Sequence, residues 1–354
     1  EGVAPNGALI TVDGKKTLLF STILKALSLL PHRIVIITDK LHENSVRNEI
    51  HKVERSETYL DLIENQDIIF VVIAEPEGKG NALSSALSTY VLDHPNNNNV
   101  TVMMPSDQIV KKDKSFKQAI KSAYTIARKG YIVTLGIAPP YPTTCYGYIE
   151  TENLKSKKWY TIKDYKETND KGAAVKYFND ENFYYNSSIL VFRTCDMIRE
   201  IEKHIPQLAL QMKKITNLKV SNPSFNKVVT NIYSDMKSLY LENNLLKKSK
   251  NSVLIPASFK WCDIQSCSDS KSLLAKGKKK KKKKKKKALC NSVRCFDAKN
   301  GLNSGKKKML AHANSEELMV LDTNDALFVC EENSVEGVET LFHVISRGAS
   351  EKDY

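Results

Sequence analysis

No apolar run in this 354-residue chain approaches the roughly 20 residues that span a bilayer, and the amino terminus lacks the basic-then-apolar order of an export signal. A membrane-spanning or signal-led secreted protein is therefore not expected, and a cytoplasmic setting is. Close-spaced cysteine pairs are missing as well. The seven cysteines stand at 145, 195, 262, 267, 290, 295 and 330, an odd and scattered set that does not make a disulfide framework. Cys262/Cys267 and Cys290/Cys295 are each five apart, wider than the usual zinc pair, so reduced thiols are expected over a four-cysteine metal site. The chain also opens at Glu1 rather than at methionine, and further sequence upstream is expected.

Excess charge of one sign is scarce too, once one segment is set aside. The formal charge is +14, but ten of the positives are the single run Lys278 to Lys287, and without them an ordinary +4 remains. That excludes a nucleic-acid-binding fold argued from net charge alone and reduces the basic signal to one tract. Ten like charges in a row repel one another and stay unfolded unless a polyanion neutralises them, so weak polyanion contact is confined to this tract. Asn96 to Asn99 is a similar polar expansion, read as a loop tip.

What is present is a core. Hydrophobic residues make up 41% of the chain, with 15 Tyr and 11 Phe, enough for one large or two medium domains. Thr17 to Leu30 has helical apolar spacing, and Arg33-Ile-Val-Ile-Ile-Thr38 follows as a short buried strand. His42 to Val53 reads as helix, Asp67 to Ile73 as strand, Asn81 to Leu92 as helix, and Val100 to Met104 as a buried strand. Lys114 to Arg128 supplies another helix and Tyr131 to Ile137 another strand. This alternation predicts an α/β fold, a Rossmann-like mixed and mostly parallel sheet covered by helices on both faces.

After Ile137 the pattern changes. Pro139, Pro140 and Pro142 break it, and Tyr146 to Glu150 and Trp159 to Tyr165 look like strands of an insertion. Asn186 to Phe192 returns to the core, helices fill much of 195 to 249, and Val253 to Pro256 is one more buried strand. The expected domains are 1–274 as the main α/β unit, 275–288 as a lysine-rich linker, and 289–354 as a small β-rich module. In that module strand-like pieces at Glu317 to Asp322 and Ala326 to Cys330 precede a helix from Val335 to Ser346.

Two acids stand just past buried strands, Asp107 after Val100 to Met104 and Asp263 after Val253 to Pro256. Open α/β sheets place their ligand crevice beyond the carboxyl ends of strands. An aspartate there can hold a hard divalent cation, but it also suits a turn or a helix cap. Gly147 suits a close backbone approach to a ligand, or a bulge in a strand.

Taken together these segments resemble the bacterial mannose-1-phosphate guanylyltransferase family of sugar nucleotidyltransferases. Met104-Pro-Ser-Asp-Gln-Ile-Val110 is similar to the family's Leu-Pro-Ala-Asp-His-Val-Ile. Gly136-Ile-Ala-Pro139, Pro142 and Thr144-Cys-Tyr-Gly-Tyr-Ile149 resemble its Gly-Ile-x-Pro…Pro-x-Thr-Gly-Tyr-Gly-Tyr-Ile. Tyr184-Tyr-Asn-Ser-Ser-Ile189 resembles Trp-Asn-Ser-Gly-Ile, and Glu167-Thr-Asn-Asp170 falls on Glu-Lys-Pro-Asp. Val253-Leu-Ile-Pro256 through Trp261-Cys-Asp-Ile264 resembles Val-Val-Pro…Gly-Trp-Ser-Asp-Val. Glu75-Pro-Glu-Gly78 resembles Glu-Pro-x-Gly, ahead of a nucleotide-contacting stretch that here reads Lys79-Gly-Asn-Ala-Leu83. Leu318 to Val329 resembles the terminal segment of the same enzymes.

The resemblance implies a Mg2+-assisted transfer in which mannose 1-phosphate attacks the α-phosphate of GTP, giving GDP-mannose and pyrophosphate. It implies Asp107 and Asp263 as catalytic and metal-binding residues. Glu75, Gly78, Gly80 and Asn81 would bind nucleotide, and Gly147, Glu167 and Asn186 would bind sugar. GTP and mannose 1-phosphate are the implied partners, and a homo-oligomer is compatible with them. Several family positions are altered: lysine to Thr168, glycine to Ser188 and Cys145, histidine to Gln108, and Trp to Tyr185. The family's Gly-Gly-x-Gly-Thr-Arg-Leu loop, which grips the triphosphate, has no counterpart in these residues. The alternatives are a catalytically impaired relative that binds a nucleotide sugar or serves as a partner subunit, and a role in which the lysine tract binds nucleic acid or anionic membrane.

Overall fold

The computed structural model describes residues 7–11, 16–63, 67–92, 99–111, 113–152, 159–216, 218–263, 302–303, 318–322 and 327–331. The chain divides into two compact units, Glu1–Asp263 and Ile264–Tyr354.

The first unit begins with α1 (Leu18–Leu27), β1 (Arg33–Asp39), α2 (Glu43–Glu54), α3 (Glu57–Ile63) and β2 (Ile69–Glu75). Thr17 caps α1 by accepting the Phe20 amide at 3.0 Å, and its hydroxyl donates to the buried Glu49 carboxylate of α2 at 2.6 Å. One side chain therefore satisfies a helix end and a buried acid together. Next come α4 (Asn81–Leu92), β3 (Val100–Met103), β4 (Gln108–Lys111), α5 (Asp113–Ala127) and β5 (Ile132–Ile137). The unit is completed by β6 (Tyr148–Thr151), β7 (Tyr160–Lys166), α6 (Lys171–Phe178), β8 (Phe183–Arg193), α7 (Thr194–His204), α8 (Pro206–Met212) and α9 (Phe225–Asp235), followed by β9 (Ser252–Ala257) and β10 (Lys260–Asp263).

Six strands form the main sheet in the order β3-β8-β5-β9-β7-β6, with β6 also pairing to β8. The central strands are buried on both faces. On β5 and β9, Ile132 and Leu254 join the core under α4 and α7, while Val133, Leu135, Val253 and Ile255 join the core under α5. Strands covered on both sides need apolar residues at successive positions, so they read as continuous apolar runs rather than alternating ones.

The α/β class holds, and the pairing is more antiparallel than the strand-helix alternation implied. β5 and β9 run parallel, but β8 lies between β3 and β5 antiparallel to both. β1 and β2 form their own parallel pair, and β4 and β10 their own antiparallel ribbon. Among the described residues β1 pairs with β2 alone and β3 with β8 alone. The apolar residues of β1 from Ile34 to Ile37 are accordingly half-buried, whereas every residue of β5 is buried.

The second unit contains β11 (Leu302–Asn303) parallel to β12 (Leu318–Asp322), which pairs antiparallel with β13 (Leu327–Glu331). The helix expected at 335–346, the lysine run and the linker 275–288 lie outside the described residues. No helix among the described residues is long and apolar enough to cross a membrane.

Candidate active site

The two strand-end acids are brought together by the β4–β10 ribbon. Asp263 is the last residue of β10, not a residue beyond β9, and its register partner is Gln108, the residue after Asp107. Gln108 is the buried hub of this corner. Its Nε2 donates to the Ser187 carbonyl at 3.0 Å and to Asp263 Oδ2 at 3.4 Å, and its Oε1 accepts from Trp261 Nε1 at 2.8 Å. The amide thus ties the acid-bearing ribbon to β8. Tyr146 donates to the Asp263 carbonyl at 3.2 Å, and its ring stands edge-on to Trp261 with centroids 4.9 Å apart. Rigid aromatic and amide contacts of this kind fix a carboxylate in space. A Cβ added at Gly7 would stand 3.5 Å from the Asp107 Cβ, so the short 3-10 turn Gly7–Leu9 runs alongside that acid.

A hard divalent cation takes one or two acids and completes its shell with water and substrate phosphates. Among the described residues there is no group of three or more His, Cys, Asp or Glu side chains that could hold a metal. Cys262, next to Asp263, is buried, and its Sγ lies 3.6 Å from the Asp263 carbonyl oxygen.

The sugar-side residues also converge. The Asn186 amide donates to the Gly147 carbonyl at 2.8 Å. A Cβ built on Gly147 would lie 3.9 Å from the Asn186 Cβ and 3.9 Å from the Glu167 Cγ. Those are ordinary contact distances, so nothing in the protein itself demands glycine at 147. Glu167 is exposed and available to solvent or ligand.

Two substituted family positions have a visible structural use. Thr168 Oγ1 accepts the Asp170 amide at 3.0 Å, and Asp170 in turn caps α6 by accepting from the Gly172 amide at 2.8 Å. Ser188 has a φ of 53°, the left-handed region that favours glycine, beside the bulge that shifts the β5–β8 register. The neighbouring cation Lys166 is engaged elsewhere: its Nζ lies 2.6 Å from Asp164 and 3.7 Å from Glu150, and Lys247 reaches Asp164 at 2.7 Å. Burial alone would raise the Asp164 carboxyl, but the bonds from Lys166 and Lys247 outweigh it and hold the pKa down to about 2.

The nucleotide-side residues behave differently, because most of their polar capacity is already spent inside the fold. Glu75 Oε1 accepts from Ser84 Oγ at 2.7 Å and from the Tyr233 hydroxyl. Burial raises its pKa, against the lowering effect of those two bonds. Gly80 has a φ of +82°, and a Cβ there would stand 2.3 Å from the Leu239 carbonyl oxygen. Gly78 has nothing within 4 Å of such a Cβ and faces open space. The α4 start is docked onto the segment after α9: Leu239 N donates to the Lys79 carbonyl at 3.0 Å and Ala82 N to the Leu239 carbonyl at 3.1 Å. The Ala82 amide, at the start of α4, is therefore taken by Leu239.

Asn81 accepts the Leu241 amide at 2.8 Å and donates to Glu242 Oε2 at 2.9 Å. Glu242 had no motif to announce it. It opens a π-helical turn, Glu242–Leu246, and a single-turn insertion of that kind is invisible to apolar periodicity but frequent at functional sites. The sole sequence signal is an acid in the polar stretch Glu242-Asn-Asn244, between the apolar residues of α9 and β9.

The β4–β10 ribbon thus sets Asp263 opposite Gln108, the residue after Asp107, and Gly147, Glu167 and Asn186 lie close together. The family model described as nucleotidyl transferase matches residues 6–272, about three quarters of the chain, and the chain belongs to that family. It is 23% identical over 346 residues to mannose-1-phosphate guanylyltransferase 2 of Escherichia coli O157:H7, covering 95% of this chain and 68% of the relative. It is 25% identical over 344 residues to the mannose-1-phosphate guanylyltransferase of Escherichia coli, covering 92% and 68%. The solved mannose-1-phosphate geranyltransferase of Thermus thermophilus shares the fold, with a TM-score of 0.70 at 17% identity over 94% of this chain and 90% of that one.

Proposed function

We propose that this chain is a sugar-1-phosphate nucleotidyltransferase that joins mannose 1-phosphate to GTP, releasing pyrophosphate and forming GDP-mannose. The observation that carries the reading is the pairing of β4 with β10, which sets Asp263 opposite the residue next to Asp107, while Gly147, Glu167 and Asn186 lie close together. In this reaction a sugar-phosphate oxygen attacks the α-phosphorus in line and pyrophosphate leaves, so the protein's task is to position and to balance charge on oxygens. Asp107 and Asp263 are the residues that would hold Mg2+. When bound there, the ion supplies charge neutralisation at the phosphate oxygens. Glu167 and Asn186 can accept and donate to sugar hydroxyls, and Gly147 leaves room for the ring. Asn81 and Gly78 remain the nucleotide-side contacts with capacity to spare. The names of the relatives favour mannose and guanine over other sugars and bases.

The direct test is pyrophosphate release from mannose 1-phosphate and GTP in the presence of magnesium. Turnover that EDTA removes and Asp107→Asn abolishes is the expected result. No turnover with this pair, nor with glucose 1-phosphate and UTP, overturns the reading.

A further inference from the structure

Glu242 holds the two halves of the site in one hydrogen-bonded chain. Asn81 Nδ2 donates to one of its oxygens at 2.9 Å and Asn186 Nδ2 to the other at 3.3 Å. Neither amide can be turned over. Asn81 Oδ1 accepts the Leu241 amide at 2.8 Å and Asn186 Oδ1 accepts the Ser188 amide at 2.9 Å, so the nitrogen of each must face the carboxylate. Each of these nitrogens keeps a second hydrogen, and each oxygen a second lone pair, for a ligand. The backbone below is fixed by the Leu239 bonds to Lys79 and Ala82. The carboxylate itself is half-buried on a flexible stem, and its charge is near enough to push the buried Tyr165 hydroxyl upward, in the same sense as that hydroxyl's burial.

We propose that Glu242 is a positioning residue that couples nucleotide binding at Asn81 to sugar-phosphate binding at Asn186. The inference rests on the function proposed above. A ligand that immobilises the Asn81 amide selects the Glu242 rotamer that also receives Asn186, and a second ligand at Asn186 then finds Glu242 already ordered. The ordering cost of one long side chain is borne once instead of twice. Such coupling is reciprocal, so each ligand tightens the other by the same factor, here about five- to tenfold.

Glu242→Gln conserves volume but turns one acceptor oxygen into an amino group facing an amide donor, so one of the two bonds is lost. Glu242→Asp is a second variant, too short by one methylene to reach both asparagines. The test is calorimetric titration of the full chain with magnesium, using mannose 1-phosphate and a GTP analogue carrying a methylene between its α- and β-phosphorus. Each ligand is measured alone and in the presence of the other. Wild type is expected to show the same five- to tenfold tightening in either order. Both variants are expected to bind each ligand alone within about twofold of wild type while the coupling falls toward unity. A role confined to stability would lower the melting temperature and leave the coupling factor unchanged. Coupling retained in either variant, or absent in wild type that binds both ligands, overturns the relay and leaves the proposed function standing. Wild type that binds neither ligand overturns the proposed function, and the relay with it.

Discussion

The acid-bearing ribbon and the α4 entrance both carry family-like motifs, yet they use their polar groups in opposite ways. At the ribbon, Gln108 and Tyr146 absorb the structural load, through the Asp263 Oδ2 and carbonyl contacts. At the α4 entrance the motif residues carry the load themselves. Glu75 is held by Tyr233 and Ser84, Gly80 makes room for Leu239, and Asn81 fastens Leu241 and Glu242. A motif match therefore identifies a place in the fold, while the surrounding bonds decide whether the residue is available to a ligand.

The sharpest way to break this comparison is to remove an acid proposed to hold the metal. Asp107→Asn keeps size and removes charge, and the loss of a cation-holding carboxylate should lower kcat by at least about 100-fold. The melting temperature should hardly move. A variant that loses activity only in proportion to lost folded protein would place Asp107 with the structural residues instead.

Two glycines sharpen the same contrast. Gly80→Ala forces a side chain into a φ of +82° and to within 2.3 Å of a backbone carbonyl that cannot swing away, and should cost more than about 2 kcal/mol in urea unfolding. Gly147→Ala meets nothing closer than 3.8 Å, so its stability should stay within about 0.5 kcal/mol of wild type. Its expected effect is a raised KM for the sugar phosphate with an unchanged KM for GTP. Equal destabilisation by both alanines would mean that Gly147, like Gly80, serves the fold alone.

Much of this architecture is legible from the residues alone. The span Asn81–Leu92 is helix at both ends as its spacing predicts, and the apolar runs of β5, β8 and β9 lie in the core. β4 and β10 escape, because their four residues each, Gln-Ile-Val-Lys and Lys-Trp-Cys-Asp, form neither a continuous apolar run nor a period long enough to read. That is why the sequence puts Asp263 after β9 rather than on a ribbon of its own. Gln108 misleads for a different reason: compared with a family histidine it suggests lost function, whereas its three hydrogen bonds assemble the corner. Glu242 is out of reach altogether, since its partners come from α4 and β8 and only the folded chain brings them together.

Ser188 gives a smaller test, of a position where a family glycine has been replaced. Its φ of 53° costs an L residue about 1 kcal/mol, partly offset by the amide bond it donates to Asn186. Ser188→Gly should relieve that strain while giving back some of it as unfolded-chain entropy, for a net gain of up to about 1 kcal/mol. The melting curve reads it directly. A loss of stability would mean that the serine side chain, and not the backbone, holds the β8 bulge.

The smallest effect probes the α4 entrance by pH. Burial raises the Glu75 pKa above 4.5, so the folded chain holds that proton more tightly than the unfolded one. Between the unfolded and the folded pKa the native state binds more protons, and the contribution of Glu75 to stability falls as pH rises through this window. Asp164 has the opposite sign: its folded pKa of about 2 lies below 3.8, so its stabilisation is present above the unfolded value and is lost as pH falls through the folded one. Glu75→Gln keeps an oxygen to accept from Ser84 and Tyr233 and removes the titration. The stability difference between variant and wild type should therefore move in favour of the variant as pH is raised from acid through the window above 4.5, and then level off. A difference that is flat with pH would show that Glu75 stays as easily ionised as a surface acid, and that the α4 entrance is more open to solvent than its bonds to Tyr233 and Ser84 imply.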